Sequence, residues 1–141
     1  MKISVKGKND ILTKKHIRYT IKLFGKHLLS SKLYPNINIL VQSMNLDVWG
    51  YCGIADINER KPRTFEILLN SSLSKNKQLT TLAHEMVHVK PYATLELNEQ
   101  MNMWQGNYIN SDVVPYMQQP WEIEAHEIGD LIYEDFINDY R

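Results

Sequence analysis

The stretch TLAHEMVHVKP, residues 81 to 91, contains His84, Glu85 and His88, so two of the chain's five histidines lie one helical turn apart with a carboxylate between them. Imidazoles at positions i and i+4 of a helix project from the same face, and their ring nitrogens can bind one zinc ion. Glu85 cannot reach that ion from its own position, but it can accept a proton from a water molecule beside it. The stretch therefore predicts two metal ligands and a general base.

Apolar residues recur around this motif at helical spacing. They predict an amphipathic helix that begins after Ser72 or Ser74 and ends at Pro91, since the residue before a proline avoids helical geometry. His84 and His88 are expected on the side opposite the apolar face. A pair of solvated histidines is the alternative to a metal site, and the well-formed helix with acidic residues downstream favours zinc. The apolar face comprises Leu79, Leu82, Ala83, Met86 and Val87.

The rest of the chain predicts an α+β fold for a single domain, residues 1 to 141, with a small antiparallel or mixed sheet packed against three helices. Two further helices are predicted, one near residues 12–30 and one from Pro120 to about residue 139. Four runs have strand character, the first as a short edge strand and the others as a small antiparallel sheet: residues 2–6, 37–43, 49–57 and 63–70.

The two outer helices each carry a stripe that we expect to be buried. Residues 91–118 show no sustained period and are expected to form a long connection, with a short helix near 94–103. A connection of this length in a small domain is often functional. The stripe of the first helix is Ile17, Ile21, Phe24 and Leu28, and that of the last is Trp121, Ala125, Ile128, Ile132 and Phe136.

A catalytic zinc site needs a third protein ligand and must keep one position open for water. The extended pattern HExxHxxGxxH would supply that ligand from the same segment. It is excluded, because Pro91 stands where its glycine would be and Thr94 where its third histidine would be. The third ligand must therefore come from another part of the chain.

The segment PWEIEAHEIGD, residues 120 to 130, offers that ligand on the last predicted helix. Glu122 and His126 share a face that borders the apolar stripe, whereas Glu124 falls on the other flank. Glu122 is the predicted third metal ligand, and Glu124 and His126 are the alternatives.

HEMVH followed by a helix that reads EIEAH resembles the glutamate-zincin metallopeptidases, in which a second helix bearing E-x-x-[S/A]-[D/N] supplies the third ligand. The small size and the order helix, sheet, HExxH helix are most similar to the SprT-like and related minimal phage or bacterial metallopeptidases. Two departures are present: His126 stands where the family has an Asp or Asn that orients a zinc histidine, and the third-histidine motif of the SprT proteins is missing. The resemblance implies a minimal zincin-like fold and a zinc-dependent endopeptidase.

The resemblance also implies a mechanism, in which a zinc-activated water attacks a peptide carbonyl and Glu85 moves the proton to the leaving amine. A donor to the developing oxyanion is needed, and Tyr116, just before the last helix, is our first choice. Tyr108, Tyr133 and His126 are the alternatives. In such enzymes a peptide lies along an exposed sheet edge, which points to RTFEILLN, residues 63 to 70, as the substrate-side strand, with an ordinary core strand as the alternative.

Composition limits the class of protein. Apolar residues make up 43% of the chain and charged residues 23%, as in soluble globular proteins. The N-terminal MKISVKGKND lacks the apolar centre of a signal peptide, and no apolar run is long enough for a spanning helix. The single cysteine, Cys52, has no partner and is expected to be a small buried side chain. We therefore expect a cytoplasmic monomer, in the host cytoplasm if the protein is phage-encoded, with no membrane partner.

The formal net charge of zero conceals an uneven distribution. Residues 1–33 hold nine basic side chains against one acidic, which gives +8, and residues 84–141 hold two against eleven, which gives −9. The basic third could bind nucleic acid, although mutual neutralisation or solvation of the two ends is favoured. The alternative to a peptidase is a catalytically inactive, zinc-stabilised binding module, alone or on nucleic acid. The basic face of the first helix comprises Lys15, Arg18, Lys22 and Lys26.

Overall fold

A mixed four-stranded sheet forms one side of the protein in the computed structural model, which describes residues 1–140 and their side chains as far as Asn138. The spatial order of the strands is β1-β2-β4-β3. β1, β2 and β4 are parallel, and β3 runs antiparallel to β4. This sheet and three helices confirm the predicted α+β fold. The sheet is mixed rather than purely antiparallel. The strands are β1 (Lys2–Gly7), β2 (Asn38–Met44), β3 (Gly50–Ile54) and β4 (Thr64–Asn70).

The prediction that residues 63–70 form an exposed edge strand is wrong. β4 lies between β2 and β3 and pairs with both of them. Its inward side chains Phe65, Ile67 and Leu69 are fully buried. The edges of the sheet are β1 and β3, because the chain inserts β4 between two strands that precede it in sequence. Hydrophobic alternation predicts which face of a strand is buried but not the order of strands in the sheet.

Three helices complete the domain: α1 (Lys14–Leu28), α2 (Lys75–Ala93) and α3 (Pro120–Tyr140). Thr13 caps α1 by accepting a hydrogen bond from the His16 amide, and Ser74 caps α2 in the same way through the Lys77 amide. α1 packs on α2 and β1, while α2 packs on β3 and β4. α3 packs against α2. The predicted apolar face of α2 is buried, and α3 covers the side that carries the histidines.

α2 does not end at Pro91, as its sequence predicted, but continues to Ala93. A proline inside a helix removes the hydrogen bond of its own nitrogen and crowds the carbonyl four residues earlier, and here it lies in the last turn. The Thr94 amide and hydroxyl both donate to the Lys90 carbonyl, and the Leu97 amide donates to the Pro91 carbonyl. These bonds satisfy the carbonyl groups at the end of the helix.

The predicted helix near 94–103 is not formed. A short hairpin, β5 (Met103–Trp104) and β6 (Asn107–Tyr108), follows α2 instead. Leu95, Met101 and Gln105 adopt positive φ angles, which a helix cannot contain. The Asn98 side chain accepts hydrogen bonds from two backbone amides and so holds the turn before β5.

Most of the predicted stripe of α3 is buried, but Ile128 is 37% exposed. The next residue, Gly129, faces α2 in its place. Cys52 is buried as expected, and burial raises the pKa of its thiol. Among residues 1–140, no helix combines the length and apolar character that crossing a membrane requires.

Candidate metal centre

His84 and His88 project from α2 towards α3, with their ring centroids 5.2 Å apart. His84 Nε2 lies 2.9 Å from Glu122 Oε1, and His88 Nε2 lies 3.3 Å from Glu122 Oε2. One ligand atom from each of the three residues lies within 4.8 Å of the others. Ligands about 2.0 to 2.2 Å from a tetrahedral ion are separated by about 3.3 Å, so the three residues can hold one metal ion.

α3 brings Glu122 to the histidines because its first turns pack closely on α2. Pro120 is the first residue of the helix, where a missing N–H costs nothing. Trp121 and Ala125 are fully buried and fix the rotation of the helix about its axis. Gly129 lies so close to α2 that a Cβ there would be 3.2 Å from the Cα of His84. This rotation directs the Glu122 side chain at the two imidazoles.

Glu122 is 3% exposed, and burial alone would raise the pKa of its carboxyl. The hydrogen bonds with His84 and His88 outweigh burial, and a further one from Tyr116 adds to them. Together they lower the pKa of Glu122 well below its ordinary value. The carboxylate is therefore ionised at neutral pH, as a metal ligand must be.

Tyr116 lies in a 3-10 turn, Tyr116–Gln118, immediately before α3. Its hydroxyl donates a hydrogen bond of 2.6 Å to Glu122 Oε1 and lies 3.5 Å from His84 Nε2. Half of the side chain remains exposed. Of the tyrosines considered from the sequence, Tyr116 is the one that the described structure brings to the three residues. Tyr108 is 66% exposed on β6, and Tyr133 packs against the hydrophobic core.

Glu85 is only 7% exposed and accepts no hydrogen bond from the described residues. Burial, the largest effect, raises the pKa of its carboxyl to about 7. The charge of Glu122 also raises it, whereas His84 opposes the shift. A buried carboxylate with a pKa near neutrality suits a group that takes and returns a proton.

Neither alternative third ligand belongs to the cluster of ligand atoms. The ring of His126 packs beside that of His84, with centroids 4.5 Å apart, and its Nε2 atom is buried without a hydrogen-bond partner. Glu124 lies on the other flank of α3, where burial raises the pKa of its carboxyl. Among the candidates from the sequence, the structure therefore brings Glu122 to the histidines.

An open cleft of about 660 Å³ runs along one side of this cluster. The sequence did not identify the segment at its rim, residues 47–50, because no periodicity or motif distinguishes these residues. Their position depends on β3 being the edge strand that borders α2. The cleft is lined by Asp47, Val48, Trp49, Gly50, Thr80, Thr81, His84, Glu85, Tyr116, His126 and Asp130.

Comparison of the chain with protein-family models, with curated proteins and with solved structures finds no match. The chemistry of the centre must therefore be judged from its own residues. Two imidazole nitrogens and one carboxylate form a donor set that divalent metal ions accept.

Proposed function

We propose that this protein is a zinc-dependent endopeptidase. The observation that carries the proposal is the arrangement of Glu85, a buried carboxylate without a hydrogen-bond partner among the described residues, beside three converging ligand groups at the wall of an open cleft. Three protein ligands with one side left open are typical of catalytic zinc sites, whereas structural sites are closed by four.

His84, His88 and Glu122 would hold the metal, in the His₂Glu set that hydrolytic zinc sites use. A zinc ion there would supply Lewis acidity, which polarises a carbonyl group and makes a water molecule acidic near neutral pH. Zinc is preferred over harder cations because two of the three ligands are imidazoles.

Glu85 would act as the general base. Its carboxylate would take the proton from the attacking water and deliver it to the amine as the peptide bond breaks. No donor among the described residues bonds to Glu85, which supports this role, because a carboxylate already satisfied by neighbours is a weaker base.

Tyr116 would donate a hydrogen bond to the oxygen on which negative charge develops. Its hydroxyl is already beside Glu122 and His84, and its half-exposed side chain can turn from Glu122 to a bound carbonyl. The peptide itself would lie along β3, the edge strand that leads away from the cleft at Gly50.

The same arrangement supports the resemblance to the glutamate-zincin peptidases of the SprT-like type. The HExxH helix follows the strands, and the third candidate ligand comes from the next helix. His126 remains the departure from the family pattern. Where the family has an Asp or Asn that orients a zinc histidine, this chain has His126, whose ring packs against the ring of His84. We further propose that the protein works in the cytoplasm, in keeping with its single buried cysteine.

The alternative, a zinc-stabilised binding module without activity, would need a fourth protein ligand to close the centre. Glu124 and His126, the alternative ligands from the sequence, could supply it, but among the described residues neither joins the cluster. An open position favours catalysis over a purely structural ion.

The decisive experiment compares the zinc-loaded wild type with Glu85→Gln on a mixture of denatured proteins, with cleavage followed by mass spectrometry. We expect the variant to bind zinc as the wild type does and to lose at least about 100-fold in rate. Glu127→Gln, a change at an exposed position on α3, is the matched control and should cleave normally. Cleavage that survives in Glu85→Gln, or zinc binding without any cleavage by the wild type, would refute the proposal.

A further inference from the structure

The rim of the cleft beside Glu85 belongs to a loop that makes few backbone hydrogen bonds. Residues 45–49 connect β2 to β3, and residues 47–50 line the cleft. Among the backbone–backbone hydrogen bonds of the described residues, none involves residues 45–48. Sheet pairing and turns therefore do not hold this part of the loop, and its position depends on bonds from side chains of other segments.

Asn70, the last residue of β4, supplies those bonds. Its Nδ2 atom donates to the Leu46 carbonyl at 3.0 Å and to the Val48 carbonyl at 2.9 Å. Its backbone amide donates to the Trp49 carbonyl at 3.1 Å. Its Oδ1 atom accepts from the amide and the hydroxyl of Ser72, at 3.1 and 2.6 Å. Asn70 is buried, and both donors and the acceptor of its side chain are used.

The loop that Asn70 holds packs tightly on the helix that carries Glu85. A Cβ at Gly50 would lie 2.5 Å from Cγ2 of Thr81 and 3.3 Å from Cγ of Glu85. A shift of the loop therefore changes the width of the cleft next to the proposed general base. Gly50 is also the first residue of β3, the edge strand along which the peptide would lie.

We propose that Asn70 is a positioning residue for the peptide substrate. Its two side-chain donor bonds fix the loop so that β3 meets the peptide at the correct distance from Glu85. This inference rests on the proposed peptidase function. In the described structure the Asn70 side chain bonds to the loop and to Ser72, and not to Glu85 or a candidate metal ligand. Loss of its bonds to the loop therefore weakens peptide binding more than it slows the chemical step.

The test is the steady-state kinetics of zinc-loaded Asn70→Asp on a fluorogenic peptide that spans a site the wild type cleaves in denatured protein. Aspartate keeps an acceptor for Ser72 but turns an oxygen towards the two loop carbonyls, so both donor bonds are lost. We expect KM to rise by about tenfold and kcat to change by less than about threefold. Zinc affinity, measured by competition with a chelator, should equal that of the wild type.

Ser72→Ala is the matched control. It removes the hydroxyl that bonds to Asn70 Oδ1 and leaves both donor bonds to the loop, so KM should stay at the wild-type value. Asn70→Ala removes the same two donor bonds without burying a charge, and it replaces Asn70→Asp if that variant does not fold. Urea unfolding shows which variants are folded.

An unchanged KM in a folded Asn70 variant, or an equal rise in that variant and in Ser72→Ala, would overturn the inference while leaving the peptidase function intact. Failure of both Asn70 variants to fold would also overturn it, because Asn70 would then serve the stability of the domain. If the wild type cleaves no peptide, the proposed function itself fails, and the inference fails with it.

Discussion

Gly129 of α3 lies directly against the backbone of His84 of α2. A Cβ at position 129 would be 3.2 Å from the Cα of His84 and 3.3 Å from its amide nitrogen. This close approach sets the distance between the helix that carries the two histidines and the helix that carries Glu122. The geometry of the candidate metal centre therefore depends on a residue that supplies no ligand.

Gly129→Ala should weaken zinc binding more than it weakens folding. The added methyl pushes α3 from α2 by a few tenths of an ångström, while alanine improves helix formation by about 0.5 to 1 kcal/mol. We expect the stability of the zinc-free protein to change by less than about 1 kcal/mol and the zinc affinity to fall by about tenfold. Competition with a chromophoric chelator measures the affinity. Ile128→Ala, at the neighbouring exposed position, is the control. If Gly129→Ala binds zinc as tightly as the wild type, Gly129 does not set the geometry of the metal centre.

Tyr116→Phe should reduce turnover without removing the metal. The change deletes the hydroxyl that donates to Glu122, and the half-exposed side chain contributes little to the core. If this hydroxyl stabilises the oxyanion, kcat at saturating zinc should fall by about 100-fold while KM changes little. Tyr108→Phe, on β6 outside the cleft, should behave as the wild type. Equal losses in the two variants would show that Tyr116 has no special role.

Glu85→Gln should stabilise the zinc-free protein in a pH-dependent manner. The pKa of Glu85 is about 7 in the folded protein against an ordinary value of 4.5. Below pH 4.5 the carboxyl is protonated in both states, so its ionisation makes no difference to the free energy of unfolding. As the pH rises from 4.5 to 7, the Glu85 carboxyl loses its proton in the unfolded state but largely keeps it in the folded state. Because the rising pH favours the state that has released the proton, the wild type loses stability over this range.

Above pH 7 this loss is complete, and the glutamine variant should be more stable than the wild type by about 2 to 3 kcal/mol. Urea unfolding in the presence of a chelator, at pH 5 and pH 8, measures the difference. Glu127→Gln, which removes an exposed carboxylate, should follow the wild type at both pH values. A stability difference between Glu85→Gln and the wild type that is the same at pH 5 and pH 8 would show that the Glu85 carboxyl is not perturbed.

The sequence predicted the parts of the centre that follow from helical periodicity. The spacing of His84 and His88 placed them on one face, and the stripe of α3 put Glu122 at its border. Local signals also predicted that α2 begins after Ser72 or Ser74 and that α3 begins at Pro120, and in the structure Ser74 caps α2. These features depend on residues a few positions apart, and so a single sequence can indicate them.

The features that were missed depend on contacts between distant segments. The interior position of β4 depends on which strands pair in the sheet. The position of residues 47–50 at the rim of the cleft depends on the same pairing. The continuation of α2 through Pro91 depends on bonds from Thr94 and Leu97. Gly129 carries no sequence pattern that distinguishes a close helix contact from an ordinary helical glycine.

The presence of a metal centre at His84, His88 and Glu122 is tested by the zinc content of the purified protein, measured by inductively coupled plasma mass spectrometry for the wild type, His84→Ala, Glu122→Ala and Glu124→Ala. We expect about one zinc per chain in the wild type and in Glu124→Ala, and loss of the metal in His84→Ala and Glu122→Ala. Absence of stoichiometric metal in the wild type after zinc is supplied, or its retention in both His84→Ala and Glu122→Ala, would show that these residues do not form a zinc site.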